Sequence, residues 1–487
     1  MRAGRALGEG AIPQPDRVMK RELPPDIPQD RWGERLPREL GLVSAIGVLV
    51  GSTIGAGIFR APGVIAERVD QVWLFVAAWI AGGVLSLAGA LTYAELAAMF
   101  PRSGGIYVFI RESVGRAPAF LLGWAQILII KPAAWGALAI TSAEFACRLL
   151  GIDPASGAGP VPLSIAQIVG VSLILIVSGI NIVGVQLGAL INNLSNGLKV
   201  GALLLLVVLA FALGHDADSA ATTGSVAREP PAWSTLPGFG LAMVTVLWTY
   251  DGWADLTSIA GEVREPQRIL PRALLLGTML VIVVYLLVNV TYLRTVSLER
   301  MRGAPLVAAD AAQLVLGSAG GLFIAAAAMI SAFGTLNAGI MTGPRIFFAM
   351  AEDRLFFRWI AWVHPRFRTP AISVALGGGL AALAVSIRSF GQLVDQFVIG
   401  IWPFYALAAA GVFVLRRRRP EIERPYRIWG YPFVPGLFLA AAALLLGNYL
   451  VAQPLAFAIN VGVILLGLPS FFYLERNVRL AERSRVT

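Results

Sequence analysis

Gly51-Ser52-Thr53-Ile54-Gly55-Ala56-Gly57-Ile58-Phe59 decides how this chain is read. The stretch lies in an uncharged run, Leu42 to Phe59, long enough to cross most of a bilayer core. Its middle is a poor helix all the same, with three glycines and two hydroxyl residues within seven positions. Each glycine weakens a helix by about 1 kcal/mol relative to alanine. Unwound backbone at membrane depth persists only where protein buries it or where it lines a cavity. Such a break suits a small zwitterion. Free N–H groups at one half-helix N-terminus can hold a carboxylate, and free carbonyls at the other half's C-terminus can hold an ammonium. From this stretch alone a second reading stays open, in which Gly47, Gly51 and Gly55, spaced by four, form a close-packing face between helices.

Composition fixes the solvent. Of 487 residues 57% are hydrophobic and 14% charged, with a mean hydropathy of +0.73. These values describe a polytopic membrane protein, not a soluble core. The single cysteine, Cys147, excludes an internal disulfide framework. The net charge of +10 comes from 36 arginines against only three lysines, Lys20, Lys131 and Lys199. Residues 1–40 are polar and Pro/Arg-rich and lack the apolar core of a signal peptide. They read as a disordered cytoplasmic tail, so the first span is itself the insertion signal.

Twelve transmembrane helices are expected, at about 42–65, 72–99, 117–147, 163–183, 190–213, 240–261, 273–293, 318–350, 371–387, 392–415, 432–451 and 455–473. With the N-terminus inside, inner segments carry 28 Arg and Lys and outer segments 7, leaving Arg60, Lys131, Lys199 and Arg345 within spans. That asymmetry predicts a multi-pass cell-membrane protein with both termini cytoplasmic. The run Arg416 to Arg419 then reads as a cytoplasmic anchor rather than a nucleic-acid patch. Lys131 sits near mid-span, where a charge costs about 2.5–3.5 kcal/mol. It is expected to pair within the protein, as are Glu95 and Arg345. Lys199, two to three turns into the fifth span, either snorkels to the inner interface or has a buried partner.

A second break lies in the sixth span, Leu247-Trp248-Thr249-Tyr250-Asp251-Gly252-Trp253-Ala254-Asp255. Two aspartates and a glycine interrupt an apolar run that is expected to remain helical on both sides, ending at Gly261-Glu262 before Pro266. The breaks open two five-helix blocks, 41–215 and 238–415, and the second enters the membrane in the opposite sense. Interrupted helices at corresponding positions of two halves point to an inverted-repeat transporter with a midplane site. Helices 11 and 12, within 430–473, and a cytoplasmic tail, 474–487, stand outside the repeat. The only histidines are His215 and His364, and no nucleophile–base pair or metal-ligand cluster is visible. An enzyme is therefore not expected, nor a cofactor.

Five motifs in order carry a resemblance. They are the glycine-rich stretch from Gly51 to Phe59, Pro101-Arg102-Ser103-Gly104-Gly105, and Tyr250-Asp251-Gly252-Trp253 followed by Gly261-Glu262 and Pro266. Next come Ser331-Ala332-Phe333-Gly334-Thr335-Leu336-Asn337 with Gly343-Pro344-Arg345, and His364-Pro365 with Thr369-Pro370. Over roughly residues 38–470 the chain resembles the L-type amino acid transporter family of the amino acid–polyamine–organocation superfamily, as a bacterial-type member. The resemblance implies a LeuT-type 5+5 inverted repeat with broken helices 1 and 6, and alternating access for L-amino acids. It implies that the substrate carboxylate meets N–H groups around Ser52, Thr53 and Gly55, that the ammonium meets carbonyls near Leu49, Trp248 and Asp251, and that Gly51 and Thr249 also belong to the substrate-binding set. Trp248 falls at the family's aromatic gate position. Lys199 matches a lysine that takes the place of sodium between helices 1 and 8; it is expected to be the coupling residue, bridging the helix 1 break and helix 8, with Ser331 and Thr335 as candidate partners there. Ala254 departs from the polar residue often found there in animal members, which bears on side-chain specificity. Cys147 precedes the loop whose cysteine links animal members to a glycoprotein, so no disulfide-linked partner is expected.

The expected activity is sodium-independent exchange or proton-linked uptake of neutral L-amino acids. The alternative keeps the fold and moves cationic amino acids or polyamines, with Asp251 and Asp255 pairing the extra charge. The remote alternative is a sensor that binds without carrying. The expected partners are a small amino acid and the bilayer, with no nucleic acid.

Overall fold

The computed structural model describes residues 38–102, 104–158, 161–183, 186–213, 232–352, 356–362, 364–367 and 369–483. The tail read from residues 1–37, the greater part of the 214–231 loop, and the Arg345 side chain lie outside the described residues.

Helix α1, Leu42–Thr53, stops where the glycine-rich stretch begins to unwind, and α2, Gly57–Arg68, resumes at a bend of 42°. Between them Ile54, Gly55 and Ala56 are non-helical and fully enclosed. Helix α3, Val72–Met99, ends at Pro101. The turn that follows needs glycine twice, with φ of +119° at Gly104 and +47° at Gly105. It opens the short α4, Gly105–Ser113. A Cβ on Gly105 would lie 2.7 Å from Thr257 Oγ1, and the Gly104 N–H donates to Ser258 O at 3.0 Å. This turn thus docks on the end of the sixth span.

The third span is α5, Arg116–Ala125, then a π-turn, Gln126–Ile130, then α6, Lys131–Leu150. Pro132 has no N–H to return to the carbonyl one α-turn earlier, and the widened turn absorbs that loss. A small hairpin follows, Gly157–Ala158 (β1) against Val161–Ser164 (β2), so the fold is not purely helical. Next come α7, Ile165–Val183, and α8, Gln186–Ala212, the helix of Lys199.

The sixth span corrects an expectation. Helix α9, Ala232–Thr249, does end at the second break. Beyond it, however, the chain makes only α10, Asp255–Ser258, and one 3-10 turn, Ala260–Glu262. Thr257 Oγ1 donates to Ala254 O at 2.7 Å, a local bond that competes with helix. The backbone then pairs with the segment ahead of α1. Leu40 bridges Val263, and the Glu39 and Leu40 N–H groups both donate to Glu262 O at 3.0 Å. The two interrupted spans are tied together at this end.

The remaining elements are α11, Pro266–Thr295; α12, Leu298–Met301; α13, Val307–Glu352; and α14, Ala371–Ile387. They are followed by α15, Phe390–Arg418; α16, Phe433–Ala452; α17, Pro454–Leu465; and α18, Gly467–Arg483. Gly317, at φ +72° and ψ −170°, breaks α13, which agrees with an eighth span starting at 318. Among the described residues eight helices are long and apolar enough to cross a membrane, or nine with α1 and α2 as one broken span. Three shorter apolar helices, Gly197–Ala212, Leu236–Thr249 and Ala371–Ile387, lie at three further expected positions. The chain is a multi-pass membrane protein.

Three charges of the spans form ion pairs with charges of other segments. Glu95, fully buried, accepts from Arg416 at 2.6 Å and from the Ile428 N–H at 2.9 Å. At the opposite end of the bundle Arg60 of α2 bonds Glu144 of α6 at 2.7 Å, and Arg68 bonds Asp395 of α15 at 3.0 Å. Lys131 makes no direct ion pair among the described residues, but stands in the electrostatic field of Asp251 and Asp255.

Candidate functional site

The two breaks touch. Gly252, at φ +120°, lies so close to α1 that a Cβ would sit 2.8 Å from Ser52 C and O and from Thr53 Cα. A Cβ on Gly57 would meet Thr249 Cγ2 at 2.9 Å and the Trp248 ring at 3.1 Å. Only glycine permits this approach of backbone to backbone. Gly55 faces α13, and its Cβ would lie 3.9 Å from Thr335 Oγ1, an ordinary contact. Gly47 has open space around it. The reading of Gly47, Gly51 and Gly55 as a tight helix-packing face is therefore wrong at Gly47 and weak at Gly55. The glycines that close contacts demand are Gly57 and Gly252.

The backbone inventory places the donors further along than expected. Ser52 and Thr53 belong to the last turn of α1, Ile54 N–H donates to Val50 O at 2.8 Å, and Gly55 N–H to Thr53 O at 2.8 Å. Among the described residues the N–H groups of Ala56, Gly57 and Ile58 have no acceptor. They open α2, where the helix dipole favours an anion. Among the described residues the free N–H groups at this break are therefore those of Ala56, Gly57 and Ile58 and not those of Ser52, Thr53 and Gly55, because a helix frees its first N–H groups and not its last.

Acceptors converge from the other half-helix ends. Thr53 O and Thr249 O, the last carbonyls of α1 and α9, both face the Tyr285 hydroxyl of α11, at 2.7 and 3.0 Å. Leu49 lies one turn inside α1, and its side chain packs at Gly277 of α11. It shapes the wall rather than offering a free carbonyl. Trp248 O already accepts the Asp251 N–H at 3.2 Å. The Asp251 carboxylate accepts from the Tyr405 hydroxyl of α15 at 2.6 Å. Asp251 is half-buried and Asp255 exposed. Among the described residues Thr53 Oγ1 and Ser331 Oγ are buried without a hydrogen-bond partner.

Lys199 does not snorkel. It is 1% exposed, and its Nζ donates to Gly51 O at 2.5 Å. That carbonyl would take the Gly55 N–H in a continuous helix. The break frees it and the lysine fills it. The implied contact with Ser331 and Thr335 is absent among the described residues, where Thr335 Oγ1 donates to Ser331 O at 2.9 Å.

On the far side of the breaks Trp248 packs edge-on against Phe390 at 5.3 Å. The Arg60 guanidinium lies 3.7 Å from the centre of the Phe390 ring. Trp248, Phe390, Arg60 and Glu144 thus form one stack on this side of the breaks. Trp248 and the in-span charge of Arg60 were visible in the sequence. Phe390, Glu144, Tyr285 and Tyr405 were not, since each comes from another span and no motif marks it. Ala254 is buried, and neighbouring Trp253 packs against Tyr93 at 4.9 Å as scaffold.

The serine/threonine exchanger SteT of Bacillus subtilis is 31% identical over 444 residues, covering 91% of this chain and 98% of that protein. The human b(0,+)-type amino acid transporter 1 is 30% identical over 398 residues, covering 81% of this chain and 79% of that protein. The human cystine/glutamate transporter is 26% identical over 442 residues, covering 90% and 85%. A family model described as amino acid permease matches residues 40–468. The chain belongs to the amino acid permease family, and is a membrane transporter of amino acids rather than an enzyme.

Proposed function

We propose that this carrier exchanges neutral L-amino acids across the cell membrane without sodium, binding the substrate backbone between its two broken helices. The observation that carries this reading is the contact of the breaks, with unpaired N–H groups at Ala56, Gly57 and Ile58 facing the carbonyl ends of α1 and α9. The substrate carboxylate takes those N–H groups, and its ammonium takes a carbonyl of the α1 and α9 ends. Trp248 covers the bound amino acid, with Thr249 on the same wall. Lys199 supplies a fixed cation at Gly51 O, so no metal ion is needed there. Similarity to a serine/threonine exchanger along nearly its full length supports neutral substrates and exchange.

The architecture of this reading is twelve transmembrane helices in a LeuT-type 5+5 repeat, with blocks 41–215 and 238–415 and helices 11 and 12 outside them. The nine long spans with the three shorter apolar helices support it, as does a break opening each block. The Glu95 and Arg416 end is cytoplasmic and the Arg60 end external, by the placement of arginine. No disulfide-linked subunit is required, since Cys147 is buried in α6.

The test is counterflow in proteoliposomes loaded with a panel of amino acids in sodium-free buffer. Trans-stimulation by serine- or leucine-like amino acids, unaffected by sodium, is the expected result. Stimulation confined to arginine and putrescine would move the assignment to cationic substrates.

A further inference from the structure

Helix α2 leaves the breaks at Gly57 and carries two arginines outward, Arg60 one turn on and Arg68 at its end. Neither takes part in the proposed binding of the substrate backbone. Arg68 is tied into the bundle through both terminal nitrogens, to Asp395 of α15 at 3.0 Å, to Leu241 O at 2.6 Å and to Thr245 Oγ1 at 2.7 Å. Arg60 is held differently. Its Nε and Nη2 both donate to the Glu144 carboxylate of α6, Nη2 at 2.7 Å. Among the described residues its Nη1 makes no hydrogen bond. Its flat face rests 3.7 Å from the centre of the Phe390 ring, and Phe390 meets Trp248 edge-on. Both charges are buried. A buried ion pair holds two helices together no better than apolar side chains of the same volume. Packing of α2 on α6 therefore does not by itself call for charge here. The pair has the make-up of an amino acid's own head group, one carboxylate and one cation, and only the Phe390 ring separates it from Trp248.

We propose that Arg60 and Glu144 form an outer docking subsite for zwitterionic amino acids, the guanidinium taking the substrate carboxylate and the Glu144 carboxylate taking the ammonium. The proposal rests on the reading that the substrate backbone binds at the breaks and that the Arg60 end faces outside. While α2 lies against α6, the two side chains satisfy one another. When the helices part, each loses its partner, and an entering zwitterion supplies both replacements at once. An anion or a cation alone supplies only one. Arginine suits the task because its fork of donors matches a carboxylate. The carboxylate then has one helical turn, about 5 Å, to travel from Arg60 to the N–H groups of Ala56, Gly57 and Ile58 at the start of the same helix. As it moves inward, Arg60 and Glu144 pair again behind it.

The test is the double variant Arg60→Met with Glu144→Leu, which roughly keeps the volume of both side chains and strands neither charge. Exchange of L-serine is measured in right-side-out vesicles. KM is taken for outside L-serine with the inside saturated, and then for inside L-serine with the outside saturated. Thermal unfolding is followed on the same purified proteins. The expected result is an outside KM raised about tenfold, the low end of what charged capture adds to an association rate. The inside KM is unchanged and the protein stays folded. A pair that merely latches the outside shut predicts the opposite direction. Its loss enlarges the fraction of carriers open to the outside, so the outside KM falls. An outside KM that falls or stays the same overturns the proposal, and so does an equal rise on both sides. Trp248→Ala, measured alongside, tests the underlying site and is expected to raise KM on both sides. If it does and the double variant leaves the outside KM unchanged, only the docking subsite is lost. If Trp248→Ala changes neither KM, the breaks are not the site and the docking subsite falls with them. Should the double variant yield no folded protein, Arg60→Gln with Glu144→Gln keeps a hydrogen-bonded pair without charge. The same one-sided rise is expected from it, and its absence overturns the proposal.

Discussion

Single atoms at the breaks separate residues that sequence treats as equivalent. Gly55 and Gly57 look alike in the glycine-rich stretch, but a Cβ finds ordinary space at Gly55 and a 2.9 Å clash with Thr249 at Gly57. Gly57→Val should abolish substrate-dependent counterflow while the protein still inserts, and Gly55→Ala should be mild. Equal loss in both, with parallel loss of folded protein, would return the glycines to a packing role. Trp248 belongs at this scale too, since it reaches both Gly57 and Phe390. Trp248→Ala should raise KM by about tenfold or more, equivalent to ~1.4 kcal/mol of lost binding, with Trp248→Phe partly retaining function. Near-wild-type transport by the alanine variant would remove Trp248 from the site.

Between elements, two contacts do most to define the state of the carrier. Lys199 of α8 caps the carbonyl that the break in α1 leaves open. Arginine is bulkier and presents a planar fork rather than a compact ammonium. Lys199→Ala should therefore lose most uptake in sodium-free buffer, and Lys199→Arg should not restore it. Uptake that requires sodium, or wild-type rates in Lys199→Ala, would refute the role. The second contact is the Arg60–Glu144 pair between α2 and α6, with side chains only 10% and 12% exposed. Removing one partner of a buried pair costs about 3–5 kcal/mol by stranding the other charge. Glu144→Gln should lower the thermal midpoint of the purified carrier far more than Glu265→Gln, whose pair with Arg268 is 71% and 77% exposed. Equal midpoints would show that the pair carries no such load. The Arg60–Glu144 pair was not legible beforehand. The resemblance put Lys199 between the break in helix 1 and helix 8; its bond to the helix 1 break is present, but that Gly51 O is the acceptor was not legible, because a carbonyl becomes available only once the helix stops.

At the scale of the molecule the arginine asymmetry sets orientation. The exposed Arg417 and the Gly104 turn should be cytoplasmic, and the loop containing Ser225, outside the described residues, should be external. Ser225→Cys should label from outside intact cells with an impermeant thiol reagent, and Arg417→Cys should not. The reverse pattern would invert the topology.

The sequence by itself determined the solvent, the positions of the spans and the two places where helix fails. Those depend on local quantities: hydropathy over some twenty residues, arginine placement, and glycine or aspartate where a helix needs neither. Lys199 stood out as a rare lysine in an apolar span, whereas Trp248 was picked out by the family resemblance. Only the tertiary structure decided which groups the breaks leave open. The free N–H groups at the break are those of Ala56, Gly57 and Ile58, because those of Ser52 and Thr53 are used within α1 and that of Gly55 is taken by Thr53 O. The sixth span's second half shortened to α10 because Glu262 O found partners at Glu39 and Leu40, over two hundred residues away. Tyr285, Tyr405, Phe390 and Glu144 joined the site from other spans by packing. A hydrogen bond between distant spans leaves no periodic trace in either, so no single stretch of the chain could announce it.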